Sequence, residues 1–176
     1  GGQAEPSRKA GRGAASGAAR KPPTELAFSE VRLEADFLAD QQPFIAQLAL
    51  TIVHAAEGQP KLADPEILLA LERLAQTYQT LASGLYYEQP PEGAWARELY
   101  AALQSTIARY QQEHQQRTGA SLRPADILKA GVFLVRVGRV HANGRPLSRA
   151  FLDFLRAQLP AAASAQTRSP LIIPGA

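Results

Sequence analysis

The spacing of apolar residues divides the middle of the chain into helices. Between Pro43 and Ala56, Phe44, Ile45, Leu48, Ala49, Ile52 and Val53 recur at i, i+1, i+4, i+5, i+8 and i+9. That is one face of a 3.6-residue helix, with Pro43 in its first turn and Gly58 beyond its end. From Asp64 to Ser83 a second stripe runs through Ile67, Leu68, Leu71, Leu74, Ala75, Tyr78 and Leu81. Asp64 is expected to cap this helix, Pro65 and Glu66 suit its first turn, and Gly84 stops it. A third helix is expected over Glu92–Gln116, with Trp95, Leu99, Ala102, Leu103, Thr106 and Tyr110 on one face. Its polar second half should project into solvent before Gly119 ends it.

The pattern changes at Ala125. Through His141 the residues are apolar or small nearly all round the helix, with Lys129, Arg136 and Arg139 on one sector. A helix of this kind is buried by neighbours on several sides, and Gly131 and Gly138 would let one of them approach closely. The β-branched run from Val132 to Val137 before Asn143-Gly144 also suits a hairpin. The residues after the turn decide against it, because Leu147, Phe151, Leu152, Leu155 and Leu159 have helix spacing. The expected fold is therefore all-α: a single-domain bundle of four to five helices around a buried helix at about 125–141, with flexible tails. Residues 24–40 fit either an extended segment or an irregular helix packed on the bundle.

The ends have a different composition. Residues 1–23 are rich in Gly, Ala, Ser, Arg and Lys and contain no large apolar side chain. They cannot bury enough surface to offset their ordering entropy, so a disordered basic tail is expected. The helical domain should span 24–160. Residues 161–176 read as a mobile tail carrying a short apolar clip, Leu171-Ile172-Ile173, between Pro170 and Pro174. The clip is expected to dock on its own bundle, with a neighbouring chain or a partner's groove as the alternatives.

Charge sharpens this division. The net charge of +3 conceals a segregation. Residues 1–24 carry five basic residues against one acidic, 25–118 carry six against thirteen, and 119–176 carry eight against two. Arg136, Arg139, Arg145 and Arg149, with His141 and Asn143 in the turn, form the densest basic feature of the ordered part. Charged side chains ordinarily sit at the surface, solvated or salt-bridged; the sharper reading of this cluster is a site for nucleic acid or another anion. A second candidate is Tyr86 with Tyr87, in the connection before Pro90-Pro91. Two adjacent aromatics in a loop cannot both point inward, and tyrosine is favoured at interfaces. Either one closes the bundle end and the other lines a groove or a partner surface, or the loop folds back as a hydrophobic plug.

Several chemistries lack support. With no Cys, disulfides, thiolate zinc sites and cysteine nucleophiles are excluded. His54, His114 and His141 fall in three different elements, so no metal site is expected, and no cofactor motif occurs. The nucleophile elbow, phosphate-binding loop and dinucleotide fingerprint are missing too, and the sequence does not favour an enzyme. No apolar run approaches the length of a membrane span, which makes a soluble, cytoplasmic protein the default expectation. The lack of Met at position 1 suggests a processed or partial chain, from which a targeting segment could have been removed.

The leading functional expectation is a non-catalytic protein-interaction or scaffolding module, meeting a protein partner or a second copy of itself. One alternative is nucleic-acid binding through the basic tail and the Arg136/Arg139/Arg145/Arg149 surface. The other is a ligand-binding protein or enzyme with a polar pocket between helices.

Overall fold

The computed structural model describes residues 28–159. The basic tail 1–23 and the tail 161–176 with its apolar clip lie outside them. Among the described residues there is no strand, as the apolar spacing predicts, and there are six helices rather than four to five. We number them α1 (Ala35–Asp40), α2 (Gln42–Gly58), α3 (Asp64–Ala82), α4 (Ala94–Thr118), α5 (Pro124–His141) and α6 (150–159).

Of the ambiguous stretch 24–40, residues 28–40 are described. A turn at Phe28–Glu30 leads through residues 31–34, without regular secondary structure, into the short α1. Phe28 has a left-handed φ of 56°, a conformation costly for a bulky residue. The turn is closed by Val31 N–H donating to the Phe28 carbonyl at 2.8 Å. Pro43 separates α1 from α2, because it has no N–H to continue the ladder and its ring crowds the carbonyl four residues back.

Helix α5 is the centre. Ile127, Ala130, Val132, Leu134 and Val135 are almost wholly buried, and α5 packs most extensively against α3. Helix α4 bridges α2 and α3 on the other side. Its polar contacts include the Thr106–Thr51 hydroxyl pair at 2.6 Å and the Tyr100–Thr77 pair at 2.8 Å. Beyond Tyr110 it loses its buried face and ends at Gly119, whose φ of 77° is the left-handed C-cap conformation open to glycine.

Of the two glycines in α5, Gly138 is the one that requires its lack of a side chain. A Cβ there would lie 2.6 Å from Leu68 Cδ2 and 2.8 Å from Phe151 Cε2. At Gly131 the nearest atom would be Ala75 Cβ at an ordinary 3.7 Å.

Two local expectations are corrected. Asp64 does not cap its own helix: Ala63 occupies the N-cap position, and Glu66 Oε1 accepts the Ala63 N–H at 3.2 Å. Ala63 has no oxygen to return that bond, so only half a capping box forms. Leu147 does not belong to the last apolar stripe either. Helix α6 begins at residue 150, and Leu147 is 82% exposed in the turn before it. The stripe proper is Phe151, Leu152, Leu155 and Leu159, all buried.

Candidate functional site

The basic turn 142–149 joins α5 to α6; Ser148 and Arg149 reach back into the fold, while Asn143 and Arg145 are exposed. Asp64, although in the first turn of α3, caps α6. Its carboxylate accepts the Phe151 N–H at 2.9 Å, the Leu152 N–H at 3.3 Å and the Ser148 hydroxyl at 3.2 Å. The Asp64 N–H donates in return to the Ser148 carbonyl at 2.8 Å. These bonds satisfy first-turn donors that have no partner within α6 itself, and they place a buried negative charge at the positive end of its dipole. Asp64 is 1% exposed.

Arg149 works at the opposite pole of another helix. Its Nη2 donates to the carbonyls of Ala56, Gln59 and Pro60 at 3.0–3.2 Å, and its Nε donates to Leu62 O at 3.2 Å. It therefore satisfies carbonyls at and just beyond the C-terminus of α2, where the helix dipole favours a cation.

Arg136 and Arg139 are similarly occupied. Arg136 Nη2 donates to Phe28 O at 3.0 Å and to Val31 O at 2.8 Å, pinning the entry turn. Arg139 pairs with Glu72 on α3. His141 stacks on Phe154, with ring centroids 3.7 Å apart. The Asn143 side-chain oxygen accepts the Arg145 N–H at 3.0 Å, an Asx turn that shapes the connection. Arg145 itself is exposed. The structure thus brings His141, Asn143, Arg145 and Arg149 to one end of the bundle and sends Arg136 and Arg139 to separate partners.

The connection 83–93, between α3 and α4, is built in the opposite way. Its backbone is held on both sides of Tyr86 and Tyr87. Leu85 N–H donates to Thr80 O at 3.0 Å, and Gln89 N–H donates to the buried Thr77 hydroxyl at 3.1 Å. Beneath it lies a polar network shared by α3 and α4. Thr77 bonds Tyr100, Tyr78 Oη donates to Gln104 Oε1 at 2.8 Å, and Gln104 Nε2 donates to Tyr100 Oη and to Glu88 Oε2. Burial, reinforced by the neighbouring Tyr100, Tyr86 and Glu88, pushes the Tyr78 hydroxyl up to about 12. Local desolvation and the Glu88 carboxylate raise Tyr86 as well.

The side chains above this network face water. Leu85 is 65% exposed, and Tyr86 and Tyr87 are 62% each. The expectation that one tyrosine closes the bundle end is not met; both stand in solvent. Leu85 joins them as a third exposed group that residue type alone does not single out. Its position in a connection that already carries two aromatics is the available signal.

No family model, curated protein or solved structure matches this chain. The site is therefore read from its own geometry. Among the described residues, no group of three or more His, Asp or Glu is arranged to hold a metal ion, and no helix is long and apolar enough to cross a membrane. A concavity of about 480 Å³ opens between α1, α2, α5 and α6, lined mainly by apolar side chains. Its residues come from four separate helices, and no spacing within one helix announces it.

Proposed function

We propose that the chain is a non-catalytic protein-interaction module whose contact surface is centred on Leu85, Tyr86 and Tyr87. One observation carries the reading: three consecutive large side chains stand in solvent on a backbone fixed by hydrogen bonds at Leu85 and Gln89. Exposed aromatic and aliphatic groups supply binding area, and tyrosine is among the residues that dominate interface energetics. A backbone that is already ordered loses less entropy on association. The partner is a protein, or a second copy of this chain, offering an apolar cleft with a few polar acceptors for the tyrosine hydroxyls. A cytoplasmic location belongs to the same reading and is checked by cell fractionation.

A photo-crosslinking residue placed at Tyr86, with Gln112 on the polar end of α4 as the control position, tests the proposal in living cells. A discrete protein adduct at position 86 and none at 112 is the expected result. Identical adduct patterns at the two positions would overturn it.

Nucleic-acid binding has less to draw on. Arg136, Arg139 and Arg149 already have partners within the fold, which leaves exposed Arg145 and the basic residues of 1–23. Anisotropy of labelled oligonucleotides at two salt concentrations decides that alternative, because phosphate contacts are lost steeply as salt rises.

A further inference from the structure

The concavity between α1, α2, α5 and α6 is an apolar groove. Leu38, Ile45, Phe133, Val137, Phe154 and Leu159 line it, and the amides of Gln42 and Gln158 stand on its rim. Phe133 and Val137 are only partly buried although they lie on the central helix. Helices α1 and α6 flank this face without closing over it. A partly covered apolar face on the most buried helix of a domain is an incomplete core, and apolar area left in water is unfavourable.

We infer that the segment Pro170–Pro174 of the same chain fills this groove, with Leu171, Ile172 and Ile173 as the inserted side chains. Three observations single out this occupant. Leu159, at the end of α6, is itself part of the groove wall, so the chain continues from the site's edge. In residues 160–176, Leu171, Ile172 and Ile173 are the only apolar side chains larger than alanine or proline. The residues between Leu159 and Leu171 are rich in Ala and Ser. A linker of that length has a root-mean-square span of roughly 20 Å and reaches about 35 Å when extended, which covers the groove from its own rim.

The geometry also suits an extended insert. Pro170 and Pro174 restrict the residues before them to extended backbone, and the rim amides of Gln42 and Gln158 offer donors and acceptors to such a strand. Tethering raises the effective concentration of the segment to the millimolar range, so a contact too weak to hold a free peptide is sufficient here. The groove is a separate face from the Leu85–Tyr87 surface, and the inference does not depend on that reading.

The absence of cysteine makes the test direct. A single Ala176→Cys substitution in the full chain takes one nitroxide spin label, and methyl NMR reports which groups lie near it. The expected result is several-fold stronger paramagnetic broadening at the methyls of Ala46, Ala49 and Val137 than at those of Ala82 and Ala108, abolished when Leu171, Ile172 and Ile173 are all changed to Asp. Broadening spread evenly over the surface, or unaffected by the Asp substitutions, would overturn the inference. Mixing spin-labelled, NMR-silent chains with isotope-labelled, spin-free chains separates the two sources. Groove broadening in that mixture would mean that the segment comes from a second copy, which equally overturns the intramolecular assignment. A full chain carrying Phe133→Ser provides the groove-side control, with the same selective loss expected while circular dichroism stays unchanged. If Phe133→Ser alters the fold, Val137→Thr is the milder substitute.

Discussion

The connections at 83–93 and 142–149 both leave large side chains in water, yet they are held by different means. The first is fixed mainly through its backbone, by Thr80 and Thr77 on α3, and its side chains Leu85, Tyr86 and Tyr87 are displayed. The second is fixed through side chains: Ser148 and Arg149 reach back to Asp64 and to the end of α2. A dense cluster of charge can therefore be a joint, and a short apolar run in a loop can be a display. In this chain the arginine-rich turn resembles a binding site until its partners are traced. Leu85, Tyr86 and Tyr87 stand in solvent without such ties, while of the turn's own larger side chains Arg145 and Leu147 are exposed.

Removing Asp64 should expose the difference most sharply. Asp64→Ala strips a buried cap from α6 and orphans the Phe151 and Leu152 N–H groups. Loss of a cap together with charge-assisted bonds costs about 2–4 kcal/mol, to be read from the midpoint of urea unfolding. A loss below about 0.5 kcal/mol, within the range of ordinary surface substitutions, would mean that the 142–149 joint does not depend on this carboxylate.

Alkaline pH should weaken the first connection instead. The Tyr78 hydroxyl lies at about 12 in the folded protein against 10 in the unfolded chain. Between those values the folded state holds the proton that the unfolded state has released. The associated stability is thus fully present below pH 10 and is lost as pH rises through 12. The two-unit difference corresponds to about 2–3 kcal/mol. Tyr78→Phe should flatten that part of the stability curve while lowering stability at neutral pH by about 1 kcal/mol, because Gln104 Oε1 loses its donor. A variant curve parallel to the wild-type curve between pH 10 and 12 would show that Tyr78 is not the titrating group.

The two glycines of α5 give a smaller and more local contrast. Gly138→Ala forces a methyl against the fully buried Phe151 ring at the base of the second joint. Overpacking of this kind costs about 1–3 kcal/mol. Gly131→Ala meets only Ala75 at van der Waals distance, and its helix propensity should add up to about 1 kcal/mol of stability. Thermal unfolding of both variants checks the sign at each position, and equal shifts would remove the close-approach argument for Gly138.

These contrasts also mark how far the amino-acid order could be read. Helices α2 to α5 were legible because each carries its own apolar stripe, a property of neighbours three and four residues apart. Their ends were legible where Pro43, Pro65 or Gly119 punctuates them. The role of Asp64 was not, since it depends on Ser148, Phe151 and Leu152 more than eighty positions away, and its place before Pro65 suited a local cap equally well. Leu147 misled for a related reason: it falls on the stripe's spacing, but α6 starts only where Asp64 supplies acceptors, three residues later. Tyr86 and Tyr87 stood out by residue type, whereas their exposure depends on Thr77 and Thr80 holding the chain away from the core. The groove between α1, α2, α5 and α6 left no trace in any single segment.

The smallest stability effect carries the most functional weight. Changing Leu85, Tyr86 and Tyr87 each to Ser removes exposed groups and leaves the Thr77 and Thr80 bonds to the backbone in place. Each substitution should shift the unfolding free energy by no more than about 0.5 kcal/mol. The same should hold for exposed Arg145→Gln, but not for Arg149→Gln, which abandons carbonyls at the end of α2. If the tyrosine variants unfold as the wild type does, selection for stability does not account for three large side chains held in water, and binding remains as the reason to keep them. If they destabilise the fold by several times that amount, the connection is part of the core's closure, and the interaction surface must be sought elsewhere.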